Sequence, residues 1–159
     1  MIRILNKDDK YIDSVVSLRI KLNDMHTNSL PSIFKDHIEL PTYEDTIDAI
    51  SNENRDIIIY EENNNLFGLA VVSYNQYNET YDRYSKRIYS IDELMVSPDF
   101  QNKGIGKKII DFIKHDAIEK GFAIIELDVY SFNEKAIKFY QNVGFKNAKL
   151  VMSMENDDE

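Results

Sequence analysis

The residues best suited to chemistry lie in one run, Gln101-Asn102-Lys103-Gly104-Ile105-Gly106-Lys107-Lys108. Its two glycines allow a ligand to approach the backbone closely. Ile105, Ile109, Phe112, Ile113 and Ala117 follow at helical spacing, so Gly104 is expected to open a helix. The first turn of a helix carries N–H groups without intrahelical partners, and such an end binds phosphate or pyrophosphate. Lys103, Lys107 and Lys108 add a basic spot to an otherwise acidic chain. The run lacks the Gly-Lys-Ser/Thr ending of the nucleoside-triphosphate loop and the third glycine of the dinucleotide fingerprint.

A second constellation lies downstream, in Asn133-Glu134-Lys135-Ala136-Ile137-Lys138-Phe139-Tyr140-Gln141-Asn142-Val143-Gly144-Phe145. Asn133 caps a helix there, and Tyr140 follows two turns later, so the two can share a face. A tyrosine so placed can donate a proton, or it can be a core aromatic with a satisfied hydroxyl. Candidate bases are the carboxylates Asp92, Glu93 and Asp128. Strand alternation puts Asp92 and Glu93 on opposite faces. His26, His37 and His115 are scattered without metal-ligand spacing, so no metal is expected.

These residues need a scaffold. MIRIL reads as a strand, and Asn6 or Asp8 can cap the helix after it. Pro31 and Pro41 break the chain between Thr27 and Thr42, and Thr42 caps a second helix. DIIIYE, LFGLAVVSY and RIYSIDELMV read as strands, with an Asn63–Asn65 turn and a polar, Tyr-rich loop over 75–85. Gly121 and Gly144 end the two later helices. AIIELDVY and FKNAKLVMSM read as further strands. The result is a mixed α/β domain over residues 1–154, in which the strands flanking the 104–120 helix run parallel. The tail 155–159 is expected to be disordered.

Composition narrows the function. A chain of 159 residues can bury a single sizeable core. It has no cysteine, which closes disulfides, thiolate metal sites and acyl-cysteine intermediates. No apolar run approaches a membrane span, and the N-terminus lacks the apolar core of a signal peptide. A cytoplasmic protein without membrane contact is expected. A formal net charge of −9 argues against nucleic acid as partner and is compatible with a cationic small substrate.

Taken together, Met95-Val96-Ser97-Pro98, Gln101-x-x-Gly-Ile-Gly and Asn133-x-x-Ala-x-x-Phe-Tyr-x-x-x-Gly-Phe resemble the GNAT superfamily of acyl-CoA-dependent N-acyltransferases. The likeness covers residues 88–147 in order, spacing and context. Residues 1–87 share element order alone. The resemblance implies a central, mostly antiparallel sheet with a splayed parallel strand pair and helices on both faces. Acetyl-CoA is the implied cosubstrate. The amides of Gln101, Asn102, Lys103, Gly104, Ile105, Gly106 and Lys107 would hold its pyrophosphate. The backbone of Leu94, Met95 and Val96 would pair with pantetheine beside a bulge, and Asn133 would contact the cofactor arm. Tyr140 would protonate the departing thiolate. Glu93 first, Asp128 second, or else Asp92, would assist the amine. His26, Phe34, His37 or the tyrosines at 74, 77, 81, 84 and 89 could line the acceptor site. The expected activity is transfer of acetyl to a small-molecule amine by direct attack, in a monomer or homodimer. A protein acetyltransferase and a non-catalytic acyl-CoA sensor are the alternatives.

Overall fold

A computed structural model describes residues 1–31 and 43–154. The chain forms two compact units, Met1–Asp128 and Val129–Glu159. The first contains β1 (Ile2–Ile4), α1 (Ile12–Ser29), α2 (Tyr43–Ser51), β2 (Arg55–Glu62), β3 (Asn65–Tyr77), β4 (Lys86–Val96), a 3-10 turn (Pro98–Phe100), α3 (Ile105–Glu119) and β5 (Ile124–Leu127). The strands form one sheet in chain order, β1-β2-β3-β4-β5. Three pairings are antiparallel, and β4 with β5 is parallel. The mixed α/β class expected from the sequence is what forms.

Alternation along the strands sends two sets of apolar side chains to opposite faces. Ile57, Ile59, Leu69 and Val71 join Tyr11, Ile12, Val15, Leu18 and Ala49 in a core under α1 and α2. On the other face lies α3, which buries Ile105, Ile109, Ile110, Ile113 and Ala117. Gly68 marks how closely the layers meet there. A Cβ at this position would stand 2.8 Å from the Met95 carbonyl oxygen and 3.1 Å from Ile109 Cδ1.

The structure corrects two expectations for the first helix. The first helix begins at Ile12 rather than after Asn6 or Asp8, and its N-cap Tyr11 makes no side-chain cap. Asp9 Oδ1 instead accepts from the Tyr11 N–H (3.1 Å), which shapes the entry turn. The same helix runs on to Ser29, because Pro31 breaks it only where the proline ring would meet the preceding turn. The expected Thr42 cap lies outside the described residues, as do Phe34, His37 and the 155–159 tail.

In the second unit, α4 spans Glu134–Asn142, and Asn133 caps it by accepting from the Ala136 N–H (3.1 Å). Gly144, at φ 107°, ends the helix. The strand expected over FKNAKLVMSM does not form among the described residues. A strand exists by pairing with a neighbour, and hydrophobic composition alone does not supply one. Leu150, Val151, Met152 and Met154 are all exposed. In the first unit, β5 is likewise four residues long rather than the eight of AIIELDVY.

Candidate active site

The feature on which the site turns is a bulge in β4. Val72 faces Ile91 and Val71 faces Glu93, so Asp92 is the extra residue in the ladder. Before it, Ser90 pairs with Ser73 on the α1/α2 face. After it, Glu93 and Met95 occupy that same face opposite Val71 and Leu69. Asp92 also turns to this side, where its Oδ1 accepts from Ser73 Oγ at 2.9 Å. The sequence expectation that Asp92 and Glu93 lie on opposite faces is therefore overturned: the inserted residue resets the alternation, and both carboxylates share one face.

Each carboxylate has an arginine. Arg19, buried on α1, donates from Nε and Nη2 to the two Glu93 oxygens at 2.9 and 2.8 Å. It also reaches Thr46 Oγ1 on α2 at 3.1 Å. One guanidinium thus ties two helices to the bulge. Arg55, the first residue of β2, lies 3.7 Å from Asp92 Oδ2, a looser pair. Partial withdrawal from water pushes the Asp92 carboxyl above its ordinary value, against the opposing pull of Ser73 and Arg55. Both arginines were missed from the sequence. Arg19 had a readable signal, since it falls on the apolar stripe of Ile12 and Val15, where a cation needs a carboxylate partner. Arg55 had none, because the residues meeting it are set by register.

The parallel pair opens at the same place. Pairing of β4 with β5 runs from Ile88 with Ile124 to Ile91 with Leu127, and stops. Leu94, Met95 and Val96 retain β3 as their ladder partner. Asp128, just past β5, is exposed.

Beyond the 3-10 turn comes the glycine-interrupted segment. Asn102 and Gly104 both adopt positive φ, 60° and 76°. A Cβ on Gly104 would meet nothing within 4 Å, so backbone conformation alone calls for glycine there. The first bond of α3 runs from Lys108 N–H to Gly104 O (3.1 Å). The N–H groups of Ile105, Gly106 and Lys107 therefore precede the helical ladder, and no acidic side chain occupies the first turn. Gln101, Asn102, Lys103 and Gly104 are exposed. An uncapped, accessible helix start of this kind fits a diphosphate. The basic spot is thinner than the sequence implied. Lys107 pairs with Asp111 (2.5 Å), Lys108 reaches the Tyr60 hydroxyl (3.3 Å), and Lys103 lies over the Phe100 ring (5.1 Å).

Other candidates sort by face. Tyr89 is buried on the α3 side and donates to Asp116 (2.8 Å), while Tyr74 donates to Asp56 (2.5 Å). Both therefore lie away from the bulge carboxylates. Tyr77, Tyr81 and Tyr84 are exposed. His26 sits within α1, and His115 is exposed beside Glu119 (3.6 Å). Among the described residues, no group of three or more His, Cys, Asp or Glu could hold a metal, and no helix is long and apolar enough to cross a membrane. In the second unit, Tyr140 packs between Phe139 (5.2 Å) and Phe145 (5.6 Å). Burial pushes its hydroxyl up to about 12.

A sheet that parts beside a bulge, followed by a helix start open to an anion, is the frame that the sequence resemblance implied. The chain belongs to the Acetyltransferase (GNAT) family, whose profile matches residues 21–145. It is 30% identical over 80 residues to thialysine N-epsilon-acetyltransferase of Sus scrofa, a match covering 50% of this chain and 47% of that protein. The chain thus spans about half the length of the curated relatives it matches. In fold it resembles a tetramutant of the BH1408 protein from Bacillus halodurans, with a TM-score of 0.90 and 23% identity, covering 98% of this chain and 99% of that one. Aminoglycoside N-acetyltransferase AAC(6')-Iy, solved with a CoA-linked bisubstrate analogue, gives a TM-score of 0.76 at 18% identity, covering 99% and 98%.

Proposed function

We propose that the chain is an acetyl-CoA-dependent N-acetyltransferase acting on a small-molecule amine by direct attack. The observation that carries this reading is the bulge, which presents Asp92 and Glu93 on one face where β4 parts from β5. Its relatives point the same way, one being named for acetylation of an amino-acid amine and a structural neighbour for that of aminoglycosides.

When bound, acetyl-CoA supplies the acyl group as an activated thioester. In this reading the amides from Gln101 to Lys107 hold its diphosphate. Backbone groups of Leu94, Met95 and Val96 take the pantetheine arm as a further strand would. Asn133 commits its Oδ1 to the α4 cap, so its contact with the arm uses Nδ2. An N–H at the bulge stabilises the charge that develops on the acyl oxygen, a contribution of about 100- to 1000-fold where such donors have been removed.

An ammonium must lose its proton before it attacks. Glu93, favoured from the sequence, has both oxygens engaged by Arg19, which leaves it less free to take up a proton. Asp92 is the better proton acceptor, because its pairing is looser and burial already favours its protonated form. Tyr140 returns a proton to the departing thiolate, whose conjugate acid resembles a cysteine thiol at about 8.5. Raised to about 12, the hydroxyl stays protonated at any working pH.

The test is an acetyl-CoA turnover screen over amino acids, polyamines, aminoglycosides and peptides, following free thiol. Release of thiol with a small amine is expected. Turnover confined to peptides, or tight acetyl-CoA binding without turnover, would replace this reading with a protein acetyltransferase or a sensor.

A further inference from the structure

Among the described residues of the bulge face, Arg55 is a cation whose bonding is incomplete. It pairs in register with Ser73, two residues from Val71 of the α1/α2 core, and so shares the face of Asp92. The contrast with Arg19 is informative. Arg19 makes a two-pronged ion pair with Glu93 at 2.8 and 2.9 Å. Arg55 has its closest carboxylate oxygen at 3.7 Å, beyond the range of a hydrogen bond. Its Nε is buried without a hydrogen-bond partner, a condition that costs free energy if nothing compensates it. About a third of the side chain, 36%, remains open to solvent. The carboxylate opposite is also engaged elsewhere, because Asp92 Oδ1 accepts from Ser73.

One cation and one anion thus face each other without saturating each other. That arrangement complements a ligand carrying both signs. Arriving as a zwitterion, the ligand exchanges counter-ions with the protein: its carboxylate takes the guanidinium, and its ammonium takes Asp92. The charge count of the site is unchanged, and one loose ion pair gives way to two close ones. A purely cationic polyamine gains no such exchange, because Arg55 repels it.

We propose that Arg55 anchors the carboxylate of the acceptor, so that the preferred substrate is an amino acid whose amine is presented to Asp92. Arg55 is on this account a specificity residue, and it touches the part of the substrate that does not react. The proposal rests on the acetyltransferase reading and narrows its substrate class.

The experiment pairs each amino acid with its decarboxylated counterpart: lysine with cadaverine, ornithine with putrescine, phenylalanine with phenethylamine. Steady-state thiol release is measured for the full chain and for Arg55→Ala and Arg55→Lys, with thermal melts to confirm folding. Wild type should prefer at least one carboxylated member by about 10- to 100-fold in kcat/KM, as expected for one charged hydrogen-bonding group. In Arg55→Ala that preference should collapse towards one, mainly through KM, and Arg55→Lys should restore part of it. A wild-type enzyme that favours the plain amines, or a substitution that slows both members of a pair equally, would overturn the assignment. So would acetyl-CoA binding with acetylation of no carboxylated amine. Failure to bind acetyl-CoA at all would instead defeat the transferase reading beneath it.

Discussion

At the scale of single residues, the proton path yields two predictions. Asp92 must be ionised to accept a proton, and partial burial holds its carboxyl above the ordinary aspartate value. Activity should therefore be lost as pH falls through that raised value, and the acid limb of kcat/KM should lie above that of an exposed aspartate. Asp92→Asn should abolish the limb and lower the rate by about 100-fold or more; an unmoved limb would transfer the role to another group. Tyr140→Phe should reduce kcat by a factor of about 100 while calorimetry shows acetyl-CoA affinity within about threefold of wild type, since removing a hydroxyl from the reacting end leaves the diphosphate contacts alone. The local geometry was legible in part: the positive φ of Gly104, the helix start that includes Gly106 and the Asn133 cap all form as the sequence suggests, while the chemical roles of these residues and of Tyr140 belong to the proposal. Arg19 left a local trace, a cation on an apolar stripe, but its partner 74 residues away in sequence did not, and Arg55 left no trace at all.

At the scale of elements, the sheet depends on close approach between β3 and β4. Gly68→Ala would drive a Cβ against the Met95 carbonyl, backbone that cannot swing aside. The expected cost is about 1–3 kcal/mol, read as a lower urea midpoint. The opposite face relies on ions. Lys120 donates to both Asp116 oxygens at 2.7 Å and reaches Asp56 at 3.3 Å. Burial alone would lower the Lys120 ammonium, but Asp116 and Tyr74 hold it above its ordinary value. A raised lysine stabilises fully below the unfolded-state value near 10.4, and the gain fades only as pH climbs through the folded one. Lys120→Met should thus destabilise the protein at neutral pH, by about 2 kcal/mol for a largely buried cation between carboxylates, and the deficit should shrink in strong alkali. Element order was readable because hydrophobic period and glycine punctuation are local. Strand lengths were not. FKNAKLVMSM has the composition of a strand, yet pairing decides whether one forms, and pairing is tertiary.

At the scale of the whole molecule, the charge of −9 sets how acceptors arrive. Steering of a polycation should weaken as salt shortens the screening length from about 10 Å at 0.1 M. A net-neutral amino acid feels no such pull, so its kcat/KM should stay nearly flat between low and moderate salt while that of spermidine falls. Parallel declines for both would point to a salt effect on the enzyme itself. The bulge carries a last implication. Ile91 and Glu93 already alternate correctly if the residue between them is skipped. A chain with that single codon deleted should keep its core in phase, its melting temperature and its circular dichroism, yet lose the acetyl-transfer step. The architecture and the reaction are then under separate selection at this point, and a descendant could discard or remake the chemistry without redesigning the sheet.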